Sequence, residues 1–218
     1  MRVAVGPLHD ADHAAYLALL DLTTSGGGLP AGIENLITLP GFDPPSTHGP
    51  AMCLSAHLRR HPTPVGALFA AVPEWAMEHT LGTHRARLAG PLSAATISIY
   101  GLAVAAEYRG RGIARALLRE AETRARATRC RLATLIHEPH LASFYQRMGY
   151  TTATQPTVLL PGTAMLLTQP APYMTAVKPL HPTVRLQPVP GAPGPVVTGL
   201  LPGCDLPPTA RFGTHVVG

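Results

Sequence analysis

The chain has 218 residues, 46% of them apolar, which is enough for one sizeable domain with an extension. It holds no apolar run of the ~18 residues a membrane span needs, and Met1-Arg2-Val3-Ala4-Val5-Gly6-Pro7 is broken too early for a signal peptide. Cys53, Cys130 and Cys204 are odd in number and far apart, which argues against a disulfide framework and for a reducing, cytoplasmic setting. The net charge of +5 is carried almost wholly by arginine, since Lys178 is the only lysine. Nucleic acid is one partner for such a charge, but the few aromatics are not interleaved with the arginines as a base-stacking surface requires. A basic pocket for a small polyanion fits as well.

In chain order, Arg2–Val5 reads as a short strand, and Asp10 as the N-cap of a helix over residues 11–22. His9 and His13 are four apart near its start, but no third ligand accompanies them, so two solvated histidines are expected rather than a metal pair. Residues 23–30 form a glycine-rich loop, and Ile33–Leu39 a short second helix ended by Pro40-Gly41. Residues 51–59 and 64–72 read as a hairpin about Arg60-His61-Pro62-Thr63. Glu74, Trp75 and Glu78 follow it as a polar loop with an anchoring tryptophan. Leu81–Leu92 is a loop or weak helix.

Residues 94–104 predict a fourth strand. Tyr108-Arg109-Gly110-Arg111-Gly112-Ile113-Ala114-Arg115 follows, and Arg115–Thr128 predicts a helix. A strand, a glycine turn and a helix start make a place to hold an anion: the first helical N–H groups lack partners, and the dipole is positive there. Arg109, Arg111 and Arg115 crowd that positive end, a cost that a bound anion would reverse. The turn is not a P-loop, since no Gly precedes Lys-Ser or Lys-Thr. It is a poor dinucleotide fingerprint too, because Arg115 stands at the third glycine position and the acidic residue about twenty positions on is missing.

Residues 131–137 predict a fifth strand, parallel to the fourth across the helical crossover. Pro139 opens a short helix that Gly149 stops, and residues 150–160 and 163–168 read as a closing hairpin. From Gln169 the composition changes, with eleven of the 24 prolines in the last fifty residues. The domain is therefore expected to span 1–168. Residues 169–218 are expected to be a disordered or extended tail, the alternative being short strands at Val184–Leu186 and Val196–Leu201 packed on the domain.

Arg109-Gly110-Arg111-Gly112-Ile113-Ala114 resembles the acyl-CoA segment of the GNAT N-acetyltransferase superfamily, whose motif is Arg/Gln-x-x-Gly-x-Gly/Ala. Downstream, Phe144-Tyr145-Gln146-Arg147-Met148-Gly149-Tyr150 resembles the family's Phe-Tyr-x-x-x-Gly-Phe segment at the right distance. The resemblance implies an α/β fold: a mixed, mostly antiparallel sheet with a splayed parallel pair, flanked by helices. It implies acetyl-CoA as co-substrate, an amine acceptor and no metal. Leu102, Ala103 and Val104 would line the pantetheine arm as an added strand, while Arg109, Gly110, Arg111, Gly112, Ile113, Ala114 and Arg115 would cradle the pyrophosphate.

In the same family reading Tyr145 would protonate the departing thiolate. His137 and Glu138 are candidates to take the amine's proton, with Glu74 or a water as rivals. Glu138 stands where the family often has Asn, Leu141 where it has Ala, and Ala106 where it has Pro. The acceptor's walls are expected from Leu22–Pro45 and Thr157–Thr163. A non-catalytic acyl-CoA-binding regulator is the alternative function. A homodimer is left open, and neither membrane nor nucleic acid is an expected partner.

Overall fold

The structure, a computed structural model, describes residues 3–23, 51–77 and 82–213. The chain divides into two compact units, Met1–Val72 with Ile99–Thr128, and Pro73–Ser98 with Arg129–Gly218. The expected helix at Ile33–Leu39 and most of the expected acceptor wall at Leu22–Pro45 lie outside the described residues.

In the first unit β1 (Val3–Pro7) runs antiparallel to β2 (Met52–Leu58), from Val3 opposite Leu58 to Pro7 opposite Leu54. β2 pairs in turn with β3 (Gly66–Ala71), which is buried along its whole length. Beyond β3 lies the end of β4 (Thr96–Val104): Ala105 N donates to Val65 O at 3.0 Å, and Tyr100 Oη donates to Val72 O at 3.1 Å. A 3-10 turn at Asp10–Asp12 leads into α1 (His13–Asp21).

This helix starts later than the Asp10 cap predicts, and neither acid caps it with its side chain. The Asp12 carboxylate turns to His57 Nε2 on β2 at 3.2 Å. The helix buries Tyr16 and Leu20 with Cys53, Ala67, Phe69 and Ala103. Tyr16 Oη donates to Leu68 O at 2.7 Å, which satisfies a hydroxyl that would otherwise be costly in the core.

The second unit begins with two helices, α2 (Glu74–Met77) and α3 (Gly82–Ala95). Of the loop or weak helix expected at Leu81–Leu92, the structure shows the helix, running on to Ala95. It runs on past Pro91, and Leu92, fully buried, and Ala95, 6% exposed, hold its end. The first residues of β4 then meet β5 (Leu132–His137). Arg131 N donates to Ala95 O at 2.7 Å, and Thr134 Oγ1 to Ile97 O at 3.5 Å. Both partners advance together, so the two strands are parallel, as the crossover predicts. A 3-10 turn at Pro139–Leu141 and α5 (Ala142–Arg147) follow, then β6 (Thr151–Ala153).

The region beyond residue 168 corrects the sequence reading. Met174–Pro179 forms β9, which lies between β5 and β6 and is antiparallel to both. Its Thr175, Ala176 and Val177 are buried, at 2%, 0% and 0% exposed. β7 (Thr157–Leu160) and β8 (Thr163–Leu166) make the expected hairpin, and β10 (Arg185–Gln187) and β11 (Val196–Thr198) extend it into a second sheet of order β10-β11-β7-β8. The short strands considered at Val184–Leu186 and Val196–Leu201 lie close to β10 and β11, whereas β9 was not foreseen. The prolines punctuate short strands; Pro179 ends β9 and is tolerated there because a strand's last residue can forgo one donor. Among the described residues no helix is long and apolar enough to cross a membrane. The architecture is mixed α/β, with a mostly antiparallel sheet, a parallel β4–β5 pair and flanking helices.

Candidate active site

The residues singled out by sequence form two groups, one in each unit. In the first unit the end of β4 alternates: Ala103 is buried, while Leu102 and Val104 are half-buried. After a 3-10 turn at Ala106–Tyr108 the chain enters the glycine turn and then α4 (Ile113–Ala127). This helix forms because Ile113, Leu117, Leu118, Ala121 and Ala125 make one buried stripe at helical spacing. Gly66 on β3 lets it approach closely, since a Cβ there would stand 2.9 Å from Ile113 Cγ2.

The turn itself is shaped by two glycines. Gly110 and Gly112 have φ of 74° and 81°, a region that side-chain-bearing residues avoid. Among the described residues, chain neighbours aside, no atom lies within 4 Å of where a Cβ would stand at either one, so the space over the turn is open. Gly112 is the residue before α4, no side chain caps the helix, and its first turn holds no acid. Ile113 is buried and Ala114 half-buried, while Arg109, Arg111 and Arg115 are exposed. Open backbone, an uncapped helix start and exposed arginines together form a surface suited to phosphate oxygens.

Arg109 and Tyr108 add contacts that the sequence did not reveal. Arg109 Nε donates to Val104 O at 3.1 Å, tying the turn to the strand end. The Tyr108 ring receives the Arg111 guanidinium at 5.4 Å, and His61 of the β2–β3 turn meets it edge-on, also at 5.4 Å. Nothing in the sequence signals this stack, because His61 lies far in sequence from Tyr108 and Arg111.

In the second unit the structure brings His137 and Tyr145 together. His137 ends β5 and is 4% exposed. Its ring centroid lies 5.1 Å from that of Tyr145 on α5, tilted by 41°. Phe144 and Tyr150 flank Tyr145 edge-on at 5.0 and 6.0 Å. Burial pushes the Tyr145 phenol up to about 12, because the phenolate would lose its hydration there. The hydroxyl therefore keeps its proton at neutral pH. Gly149, with φ of 83°, turns the chain so that Tyr150 N donates back to Tyr145 O at 3.0 Å. Lys178 of β9 donates to Met148 O at 2.6 Å and lies 5.2 Å over the Tyr150 ring. Tyr150 and Lys178 were not chosen from the sequence. The final aromatic of the downstream motif could have pointed to Tyr150, but Lys178 lay in the supposed tail.

His137 Nδ1 lies 2.8 Å from the Glu138 carbonyl, and its Nε2 is buried with no hydrogen-bond partner among the described residues. The Glu138 carboxylate is directed differently: its side chain is 38% exposed and meets His140 Nδ1 at 3.0 Å. The three cysteines are buried and form no disulfide, and burial raises the Cys53 thiol to about 11, so it is not a ready nucleophile. Among the described residues no group of three or more His, Cys, Asp or Glu side chains could hold a metal ion.

Residues 71–152 match the family model described as the acetyltransferase (GNAT) domain. A search of curated proteins finds no match. Among solved structures the fold is similar to Arabidopsis thaliana NAA60 in complex with a bisubstrate analogue, with a TM-score of 0.56 and 17% identity over 83% of this chain and 100% of that one. It is also similar to a putative GNAT-family acetyltransferase of Desulfovibrio desulfuricans, with a TM-score of 0.54 and 17% identity over 83% and 100% of the two chains. A NatC complex bound to a Gag peptide and CoA gives a TM-score of 0.52 and 17% identity over 83% and 100%. The stretch that matches the acetyltransferase (GNAT) domain model thus contains both the glycine turn and Tyr145, and the fold is shared with these solved structures.

Proposed function

We propose that the chain transfers an acetyl group from acetyl-CoA directly to an amine of a small molecule, peptide or protein. The observation that carries this reading is the open turn at Gly110 and Gly112 in front of an uncapped helix. In this reading the backbone from Arg109 to Ala114, with the Arg109, Arg111 and Arg115 side chains, holds the pyrophosphate, and Leu102, Ala103 and Val104 line the pantetheine arm. The neighbour solved with CoA supports the choice of co-substrate by likeness of fold.

Tyr145 acts as the acid. The amine attacks the thioester carbonyl, the C–S bond breaks, and the sulfur takes the phenolic proton. Burial keeps the phenol protonated, so a proton is present to be given. Most of the rate then comes from holding thioester and amine together, as expected for direct transfer.

A non-catalytic acyl-CoA-binding regulator is the second reading. It is favoured by Glu138, Leu141 and Ala106 standing where the family often has Asn, Ala and Pro. A broad amine screen read by free CoA release separates the two, with Gly112→Glu as a control that places bulk and negative charge at the phosphate position. Release with an amine in the wild type, and none in Gly112→Glu, supports the enzyme. Acetyl-CoA binding with no release for any amine supports the regulator.

A further inference from the structure

We propose that Lys178 is a positioning residue for Tyr145, holding from β9 the turn that sets where the phenol stands. The inference rests on the acyltransferase reading above and adds to it a residue from outside both sequence motifs.

α5 has six residues, Ala142–Arg147, too few to keep its shape in water by its own hydrogen bonds. Its end is built as a Schellman motif. Gly149, at φ of 83°, turns the chain; Tyr150 N donates to Tyr145 O at 3.0 Å, and Gly149 N donates to Gln146 O at 2.9 Å. The edge-on contact of the Tyr145 and Tyr150 rings at 6.0 Å is the side-chain contact that accompanies such a turn. Tyr145 is thus the residue on which the turn closes, through its carbonyl and its ring. The motif leaves the Met148 carbonyl to another donor, and Lys178 Nζ reaches it at 2.6 Å. The same ammonium lies 5.2 Å from the centre of the Tyr150 ring. Its stem crosses Gly149, where a Cβ would stand 3.4 Å from Lys178 Cε and 3.6 Å from Nζ. One side chain therefore holds the Met148 carbonyl, the Gly149 backbone and the Tyr150 ring together.

The sheet aims the lysine there. Side chains alternate along a strand, so Met174, Ala176 and Lys178 share one face of β9. Met174 pairs with His137 on β5, and paired residues present their side chains to the same face. The His137 ring packs against Tyr145. Lys178 therefore stands on the face of the sheet that carries Tyr145. It is also the only lysine in a chain that otherwise uses arginine. A compact ammonium on an unbranched stem can bond one carbonyl and face one ring across a glycine; a guanidinium is broad and planar.

Two measurements on the full-length protein test this. The first needs no activity. With 13C-labelled tyrosine, Lys178→Met should shift or broaden the Tyr145 and Tyr150 ring signals and leave those of Tyr16, in the other unit, in place. Lys178→Arg should disturb them less. Unchanged Tyr145 signals in Lys178→Met would overturn the proposal whatever the activity of the protein. The second measurement uses an amine found by the screen. Lys178→Met should lower kcat about tenfold, with little change in KM or in acetyl-CoA affinity, and Lys178→Arg should recover part of the loss. Because Lys178 acts through Tyr145, adding Lys178→Met to Tyr145→Phe should cost nothing more. A lysine that only stabilises the fold would cost the same in both backgrounds. That result, or full kcat in Lys178→Met, overturns the proposal while the acyltransferase reading stands. Should Lys178→Met not fold, Tyr150→Leu, which removes the ring and keeps the cation and its carbonyl, carries the same comparison in the two backgrounds. A wild type that acetylates no amine overturns the acyltransferase reading and the proposal with it.

Discussion

Arg109 Nε donates to the carbonyl of Val104 at 3.1 Å. The first residue of the glycine motif thereby fixes the last residue of β4, and the two stretches assigned to CoA are mechanically one piece. The arginine side chain does more here than add charge. Arg109→Ala should weaken acetyl-CoA binding on the order of tenfold, and Arg109→Lys should restore only part of it, because a lysine lacks the planar fork. Calorimetric titration with acetyl-CoA checks both. Equal affinity in all three proteins would remove Arg109 from the site.

Gly112 separates strain from charge. Alanine there meets no atom of the described residues beyond its chain neighbours but must hold φ of 81°, at a cost of about 1–2 kcal/mol of stability. Glutamate pays the same backbone cost and adds a carboxylate before the uncapped helix. Both variants should therefore unfold at similar temperatures, and only Gly112→Glu should lose acetyl-CoA binding nearly completely. Thermal melts with and without acetyl-CoA decide it.

Tyr145 gives a prediction in pH. Its ordinary value is 10.0 and burial raises it to about 12. A raised pKa means that the folded chain holds the proton longer than the unfolded one. The associated stability is whole below pH 10 and falls as the pH rises from about 10 towards 12. Denaturant midpoints across that window should fall less steeply in Tyr145→Phe than in the wild type. At neutral pH the same variant should lose about 100-fold or more in kcat with little change in KM, the pattern of a group used only in the transition state.

Cutting the chain after Thr168 should destroy cooperative folding of the second unit. The cut removes β9, whose buried Ala176 and Val177 lie between β5 and β6. A disordered tail would instead be dispensable. Val177→Ala in the full chain should cost about 2 kcal/mol by the same burial. Circular dichroism melts of the truncated and substituted proteins measure both.

Much of this was legible in the sequence because the signals were local. The Gly110-x-Gly112 turn, the stripe of α4 and the Gly149 stop each act within a few residues of themselves. The parallel β4–β5 pair also followed, since a helical crossover leaves little choice of direction. β9 was not legible. Its six residues, Met174–Pro179, sit in proline-rich surroundings, and only their place between two distant strands makes them a strand. The start of the first helix was misjudged for a related reason: Asp10 suggests a cap, but the helix begins at His13, and the Asp12 carboxylate before it meets His57, far off in sequence. At the candidate site the motif residues were found, while the His137–Tyr145 contact and the Tyr108–His61–Arg111 stack needed the fold.

The most direct test of the central claim is to incubate the protein with acetyl-CoA and a panel of amines, following free CoA and product mass together. The account predicts at least one amine that gains an acetyl group in step with CoA release, with the rate lost in Tyr145→Phe. Binding of acetyl-CoA with no acetylated amine across the panel, or full turnover in Tyr145→Phe, would contradict it.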